Sequence, residues 1–205
     1  MNKEGTIYTV VFVFIVSFLF VFLLSLANQA TIQQVQLNAE LVRQRAVLTA
    51  FGIAATTDQE VETKYSQVQY SAATQSYSAT VNGQPALAVE FAGPGLWGTI
   101  TGVLAVTATV DEILGLEIMS DNETPGLGAR INEAWFKDQF RGEHVGSQPI
   151  RVVVMPGDGD PNKNDNAVDA VTGATRTSDA IQAIVNTTLD RLRSIASGSS
   201  TGGNS

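Results

Sequence analysis

Hydrophobic and polar positions divide the chain into stretches of different period. Residues 7–27 read IYTVVFVFIVSFLFVFLLSLA, with no charge and no proline. About 20 apolar residues cross a hydrocarbon core of roughly 30 Å as a helix. Residues 7–27 are therefore expected to form a transmembrane helix behind a short cytoplasmic stub at 1–6. A cleaved signal peptide is the competing reading, because Ser25 and Ala27 are small. The run is longer than the roughly 7–15 residues of a signal core, and only Lys3 supplies a leading lysine, which favours a retained anchor. Beyond it, Ile32, Val35, Leu37, Leu41, Val42, Val47, Leu48 and Phe51 recur at mostly helical spacing among polar residues, and Gly52 is a fitting stop. Residues 28–52 are expected to be a helical connector.

From residue 53 the pattern shortens. Residues 56–80 are rich in Ser, Thr, Gln and Tyr with short strand-like pieces. Asn82-Gly83 is a hairpin signal between apolar alternations at 77–81 and 86–91. Residues 96–110 are β-branched and extended, and 113–119 form a further strand across a turn at Asp111-Glu112. Residues 131–140 suggest a short helix with Ala134, Trp135 and Phe140 inward, and residues 150–155 a buried strand. Over 178–195, Ile181, Ile184, Val185, Leu192 and Ile195 share a helical face, with Leu189 at its edge. Strands followed by helices on one sheet predict an α+β domain over 53–196, antiparallel in its sheet, with a flexible tail at 197–205.

Composition narrows the chemistry. A net charge of −8 and the lack of any Lys/Arg cluster argue against nucleic acid as a partner. Without cysteine there are no disulfides, no thiolate-held iron–sulfur clusters and no cysteine nucleophile. His144, the single histidine, lies in a polar stretch and is assigned to the surface. No carboxylate pair has a spacing that suggests general acid–base work, and no dinucleotide fingerprint is present.

The stretch that draws attention is Asp169-Ala-Val-Thr172-Gly173-Ala174-Thr175, just before the last helix. A small-residue turn opening a helix presents backbone N–H groups and a positive dipole end, which suits a phosphate. Thr175 places a hydroxyl at that mouth, and Arg176 follows it. An ordinary helix start capped by Thr177 or Ser178 explains the same residues.

This stretch resembles the flavinylation motif of the FMN-binding domain family, an aspartate followed by Ser/Thr-Gly-Ala-Thr. Glu123-Thr124-Pro125-Gly126-Leu127-Gly128 is similar to the family's Glu-Thr-Pro-Gly-Leu-Gly loop, and Gly95-Leu96-Trp97 to its Gly-Leu-Trp. The resemblance implies FMN bonded covalently through its phosphate to Thr175, added from FAD by a magnesium-dependent flavin transferase that Asp169 assists. It implies a flavin ring covered by the 123–128 loop and walled by Trp97. Members include the C subunit of the sodium-pumping NADH:quinone oxidoreductase and the G subunit of the Rnf electron-transport complex. The implied role is thus an electron-transfer subunit in the bacterial inner membrane, among integral-membrane and redox subunits. The Gly-Leu-Trp run and the polar segment ending at Gly52 favour the pump-type member. Charge flanking the anchor leans toward a domain outside the cytoplasm.

A rival lies in the same region. Asp158, Asp160, Asn162, Asn164, Asn166 and Asp169 fall at positions 1, 3, 5, 7, 9 and 12 of a calcium-type loop. Lys163 replaces its glycine, Asp165 its apolar residue and Asp169 its glutamate. A solvated Asp/Asn-rich connection is the preferred reading; a membrane-tethered calcium-binding or interaction module is the alternative function.

Overall fold

The computed structural model describes residues 3–146, 148–153 and 159–200. The chain divides into two compact units, Met1–Glu40 and Leu41–Ser205. The first is helical and belongs to α1 (Lys3–Ala50), one uninterrupted helix that continues from the expected anchor through the expected helical connector. Of its large apolar side chains from Ile7 to Leu26, all but Val16 are exposed. Among the described residues α1 is the one helix long and apolar enough to cross a membrane.

The second unit is built around a five-stranded antiparallel sheet in sequential order. Its strands are β1 (Gln69–Ser71), β2 (Ser76–Val81), β3 (Gln84–Pro94), β4 (Thr99–Thr107) and β5 (Ile113–Ser120). Both faces of this sheet are covered, which explains why Val103-Leu104-Ala105-Val106 reads as a continuous apolar run. Val103 and Ala105 join Tyr77, Ala88 and the end of α1, where Ala46, Val47, Ala50 and Phe51 are buried. Leu104 and Val106 join Val89, Phe91, Ile113 and Leu116 on the other face, under Ile181, Val185, Leu189 and Leu192 of α4 (Thr175–Ser200). The antiparallel-sheet-plus-helices architecture is thus as expected.

Turn chemistry fixes the register. Asn82 and Gly83 both have positive φ, 51° and 79°, and make the tight turn between β2 and β3. Gly52, with φ 76°, ends α1, and the Ile53 amide donates back to the Leu48 carbonyl at 2.8 Å.

Several expectations are corrected. Residues 96–98 are not strand but the tip of the β3–β4 hairpin, because Gly95 N donates to the Gly98 carbonyl at 2.7 Å and closes the loop. A helix α2 (Asp58–Tyr65) stands where only strand-like pieces were read; Thr57 accepts from the Glu60 amide, while Glu60 accepts from Thr56. The helix read at 131–140 is a 3-10 turn (Gly128–Asn132) followed by α3 (Ala134–Asp138), and it buries Phe136 and Phe140 while Ala134 is exposed. In α4 Leu189 is core and Ile195 is only partly buried. That helix starts at Thr175 and continues to Ser200, into the segment read as tail. The strand at 150–155 is β6 (Arg151–Val153), with Met155 outside the described residues. It pairs in parallel with β7 (Ala167–Asp169), so the aspartate of the motif ends a strand.

Candidate functional site

Three segments distant in sequence meet at the start of α4. The first is the β3–β4 tip, where Leu96 and Trp97 are 45% and 70% exposed. Trp97 is therefore not a core residue. The second is the turn Thr124-Pro125-Gly126-Leu127, closed by the Leu127 amide on the Thr124 carbonyl at 3.1 Å. Proline at its second position and Gly126 at φ 75° suit a type II turn. Leu127 projects from it, 45% exposed. The third is the turn Val171-Thr172-Gly173-Ala174, closed by the Ala174 amide on the Val171 carbonyl at 3.0 Å, with Gly173 at φ 79°. The Ser178 hydroxyl accepts from the Val171 amide at 3.1 Å and ties this turn to the helix.

Glu123, at the start of the second, ties the hairpin tip to the first turn of α4. Its side chain is buried, and Oε1 accepts from the amides of Leu96 and Trp97 at 2.8 and 3.1 Å. Its Oε2 accepts from the Thr177 hydroxyl at 2.5 Å, in the first turn of α4. Two glycines admit this carboxylate. A Cβ on Gly95 would stand 2.5 Å from Glu123 Oε1, and one on Gly128 would stand 2.7 Å from Oε2 and 2.5 Å from Thr177 Oγ1. Leu127 reaches across to the motif turn, its Cδ2 3.3 Å from where a Gly173 Cβ would be.

Thr175 is the first residue of α4 and is exposed, as are Thr172, Gly173 and Arg176; Ala174 is buried beneath them. The hydroxyl of Thr175 thus opens outward at a positive helix end. On either side of it in sequence, Gly173 faces Leu127, whose Cδ2 a Cβ there would meet at 3.3 Å, and Thr177 bonds Glu123. Thr124 and Gly126 lie on the exposed rim. Asp169 is buried at the end of β7, and Gln139 grips its backbone: Oε1 accepts from the Asp169 amide at 2.7 Å, and Nε2 donates to its carbonyl at 3.3 Å.

Thr177, Gln139 and Gly95 have parts in this geometry that sequence reading did not assign. Of the two cap candidates, Ser178 bonds the turn, and Thr177 bonds Glu123 instead. Nothing local in the sequence marks Gln139, whose partners lie 21 and 30 residues away.

The Asp/Asn loop is turned inward on itself. Asp160 Oδ1 accepts from the Asn162 amide, Asn162 Oδ1 from the Asn164 amide and Asp165 Oδ1 from the Ala167 amide, at 2.9, 3.3 and 3.1 Å. These are successive Asx turns. The Lys163 ammonium donates to the carbonyls of Gln139 and Asp160 at 2.6 and 3.0 Å, placing a positive charge inside the loop. Asp158 lies outside the described residues. His144 is exposed.

Residues 95–190 match the family model of the FMN-binding domain. The C subunit of the Na(+)-translocating NADH-quinone reductase of Chlamydia pneumoniae is 32% identical over 112 residues, 47% of this chain and 35% of that protein. The protein of the same name from Pasteurella multocida is 29% identical over 93 residues, 45% of this chain and 36% of that protein. The chain thus spans about a third of the length of these curated relatives. The solved structure of the C subunit from Parabacteroides distasonis superposes with a TM-score of 0.66 at 24% identity, covering 80% of this chain and 96% of that one. Shewanella oneidensis NqrC gives 0.61 at 18% identity, covering 76% and 96%, so the fold is shared with both. Sequence over residues 95–190 and fold over most of the chain point the same way: the chain resembles the FMN-binding domain family and, within it, the C subunit of the Na(+)-translocating NADH-quinone reductases.

Proposed function

We propose that this chain is the membrane-anchored, FMN-carrying electron-transfer subunit of an ion-translocating NADH-quinone oxidoreductase, with FMN joined by a phosphoester to Thr175. The observation that carries the reading is the position of Thr175. It is an exposed residue that opens α4, between Gly173, which leaves room for Leu127, and Thr177, which bonds the Glu123 carboxylate. The residues fit the group. The helix mouth suits its phosphate, and the exposed apolar side chains of Leu96, Trp97 and Leu127 offer surface to a flat ring. Bound there, the flavin supplies the redox chemistry, while the protein sets its position, its cover and its electrostatics.

Attachment forms a bond from Thr175 Oγ1 to the flavin-side phosphorus of FAD, breaks the pyrophosphate bond and releases AMP, with loss of the hydroxyl proton. A flavin transferase supplies that chemistry, and Asp169 assists it. The names of the relatives favour the sodium-pump member over the Rnf member. We assign the partners as the redox and integral-membrane subunits of that complex, and the domain to the outer side of the inner membrane.

Co-expression with a flavin transferase tests this directly. In-gel flavin fluorescence and a mass increase of FMN minus water are expected, both absent in Thr175→Ala and both retained in Asp160→Ala. A wild type that never acquires flavin, or a Thr175→Ala variant that does, refutes the attachment site. The side of the membrane is read from Ser71→Cys, since the chain has no other cysteine. An impermeant maleimide is expected to label it in intact cells, and labelling only after lysis reverses the orientation.

A further inference from the structure

Strand β7 has one neighbour, β6. The chain bonds β6 through the Asn166 carbonyl and the Ala170 amide, each 2.7 Å from its partner. Backbone groups of alternate residues face opposite sides of a strand, so the amide and carbonyl of Asp169 face away from β6. Buried and unpaired, they would be costly. Gln139 stands where a third strand would. Its side chain is 3% exposed, and its amide group accepts from Asp169 at 2.7 Å while donating to the carbonyl of the same residue at 3.3 Å. The Asp160 amide also donates to Oε1, at 2.9 Å. Two N–H groups directed at one atom identify it as the oxygen and leave Nε2 for the carbonyl. Gln139 is itself fixed, between buried Phe136 and Phe140, with the Lys163 ammonium on its main-chain carbonyl at 2.6 Å.

The side chain of Asp169 is treated in the opposite way. The residue is 6% exposed, yet among the described residues no hydrogen bond or ion pair engages its carboxylate. Enclosed carboxylates are normally supplied with donors. Here the backbone is gripped on both sides and the carboxylate is left without a partner. Farther along the motif, Val171 and Ala174 are buried, and the Ser178 hydroxyl accepts from the Val171 amide at 3.1 Å. The segment from Asp169 to Thr175 is therefore anchored at both ends.

On the attachment reading above, we propose that Gln139 is a positioning residue for flavin transfer: by clamping the Asp169 backbone, it holds that unpartnered carboxylate at a set offset from the Thr175 hydroxyl. Gln139 makes and breaks no bond in the transfer. Its part is geometric, and groups held in place before reaction lower the barrier in proportion to how well they are held. The carboxylate so presented suits magnesium, which keeps several waters and takes one or two carboxylates beside the phosphates of a substrate. Among the described residues no group of three or more acidic or histidine side chains could hold a metal. The remaining ligands then come from the transferase and its FAD, and one well-placed oxygen donor is what this chain adds.

The test uses the full chain in detergent with purified flavin transferase, FAD and magnesium, and follows transfer by flavin fluorescence and mass. Gln139→Met keeps the volume and removes both bonds. It is expected to lower the rate at saturating chain about tenfold while leaving the half-saturating chain concentration unchanged. If it does not fold, Gln139→Glu, which keeps an acceptor for the Asp169 amide and loses the donor for the carbonyl, takes its place with the same expected split. In an Asp169→Asn background the Gln139 substitution should cost little more, because the group it positions is gone. Where that background transfers nothing measurable, the split between rate and half-saturation decides. A saturating rate equal to wild type overturns the proposal. So does a rise in half-saturation alone, or a tenfold loss that persists without the Asp169 carboxylate, since each describes a loosened domain rather than a misplaced group. A wild type that acquires no flavin refutes attachment itself, before any variant is compared.

Discussion

A carboxylate sealed from water is tolerated when its oxygens are supplied with donors, and Glu123 receives two amides on one oxygen and a hydroxyl on the other. Removing it strands all three donors at once. Glu123→Ala is therefore expected to cost about 1–3 kcal/mol in denaturant unfolding and to shift the Trp97 emission as the hairpin tip is freed. Glu123→Gln should cost less, since its carbonyl can still accept from both amides and its NH2 can donate to Thr177. Equal losses for the two substitutions would show that charge rather than donor matching holds the tip. At this scale the sequence was informative about chemistry and silent about geometry. Thr175, Glu123, Leu127 and Gly173 stood out through their motifs, whereas Gln139 and Thr177 acquire their partners only in the folded chain, 30 and 54 residues away.

Among the elements, α4 shows how a face is set by what it packs on. Ile181, Val185, Leu189 and Leu192 succeed one another at steps of four, four and three, and all are buried against the sheet. Ile195 continues the series but lies past the last fully enclosed turn. Leu189→Ala is accordingly expected to cost about 2–5 kcal/mol and Ile195→Ala clearly less, by chemical denaturation. The hairpin at Asn82-Gly83 and the stop at Gly52 were legible because positive φ leaves few residue choices. Helix α2 was not, since its short polar stretch carries one buried apolar residue, Val61, and no visible period. The Thr57-x-x-Glu60 cap was the overlooked signal. Parallel pairing of β7 with β6 was also hidden, because a three-residue strand is too short to show alternation.

For the whole molecule, the division of the chain near residue 40 predicts where it tolerates cutting. A chain lacking residues 1–40 keeps Ala46, Val47, Ala50 and Phe51, which are buried with Tyr77, Ala88, Val103 and Ala105. It is expected to be soluble and to unfold cooperatively. Removing residues 1–52 strips that face of the sheet, and the circular-dichroism melt should broaden or vanish. A sharp melt after the longer deletion would show that α1 contributes little to the domain. Glu123 has a consequence of another kind, for the order of events in the life of the chain. Its partners lie 27 residues before it and 54 after it, so the clasp closes only once hairpin, turn and last helix have assembled. Long closures of this kind are made late in folding. On the proposed attachment, a newly made chain would display Thr175 within its motif well before the hairpin tip, the turn and the last helix had come together. Cofactor fixed to the finished domain would be sheltered at once, whereas cofactor fixed earlier would dangle in water until the carboxylate found its donors.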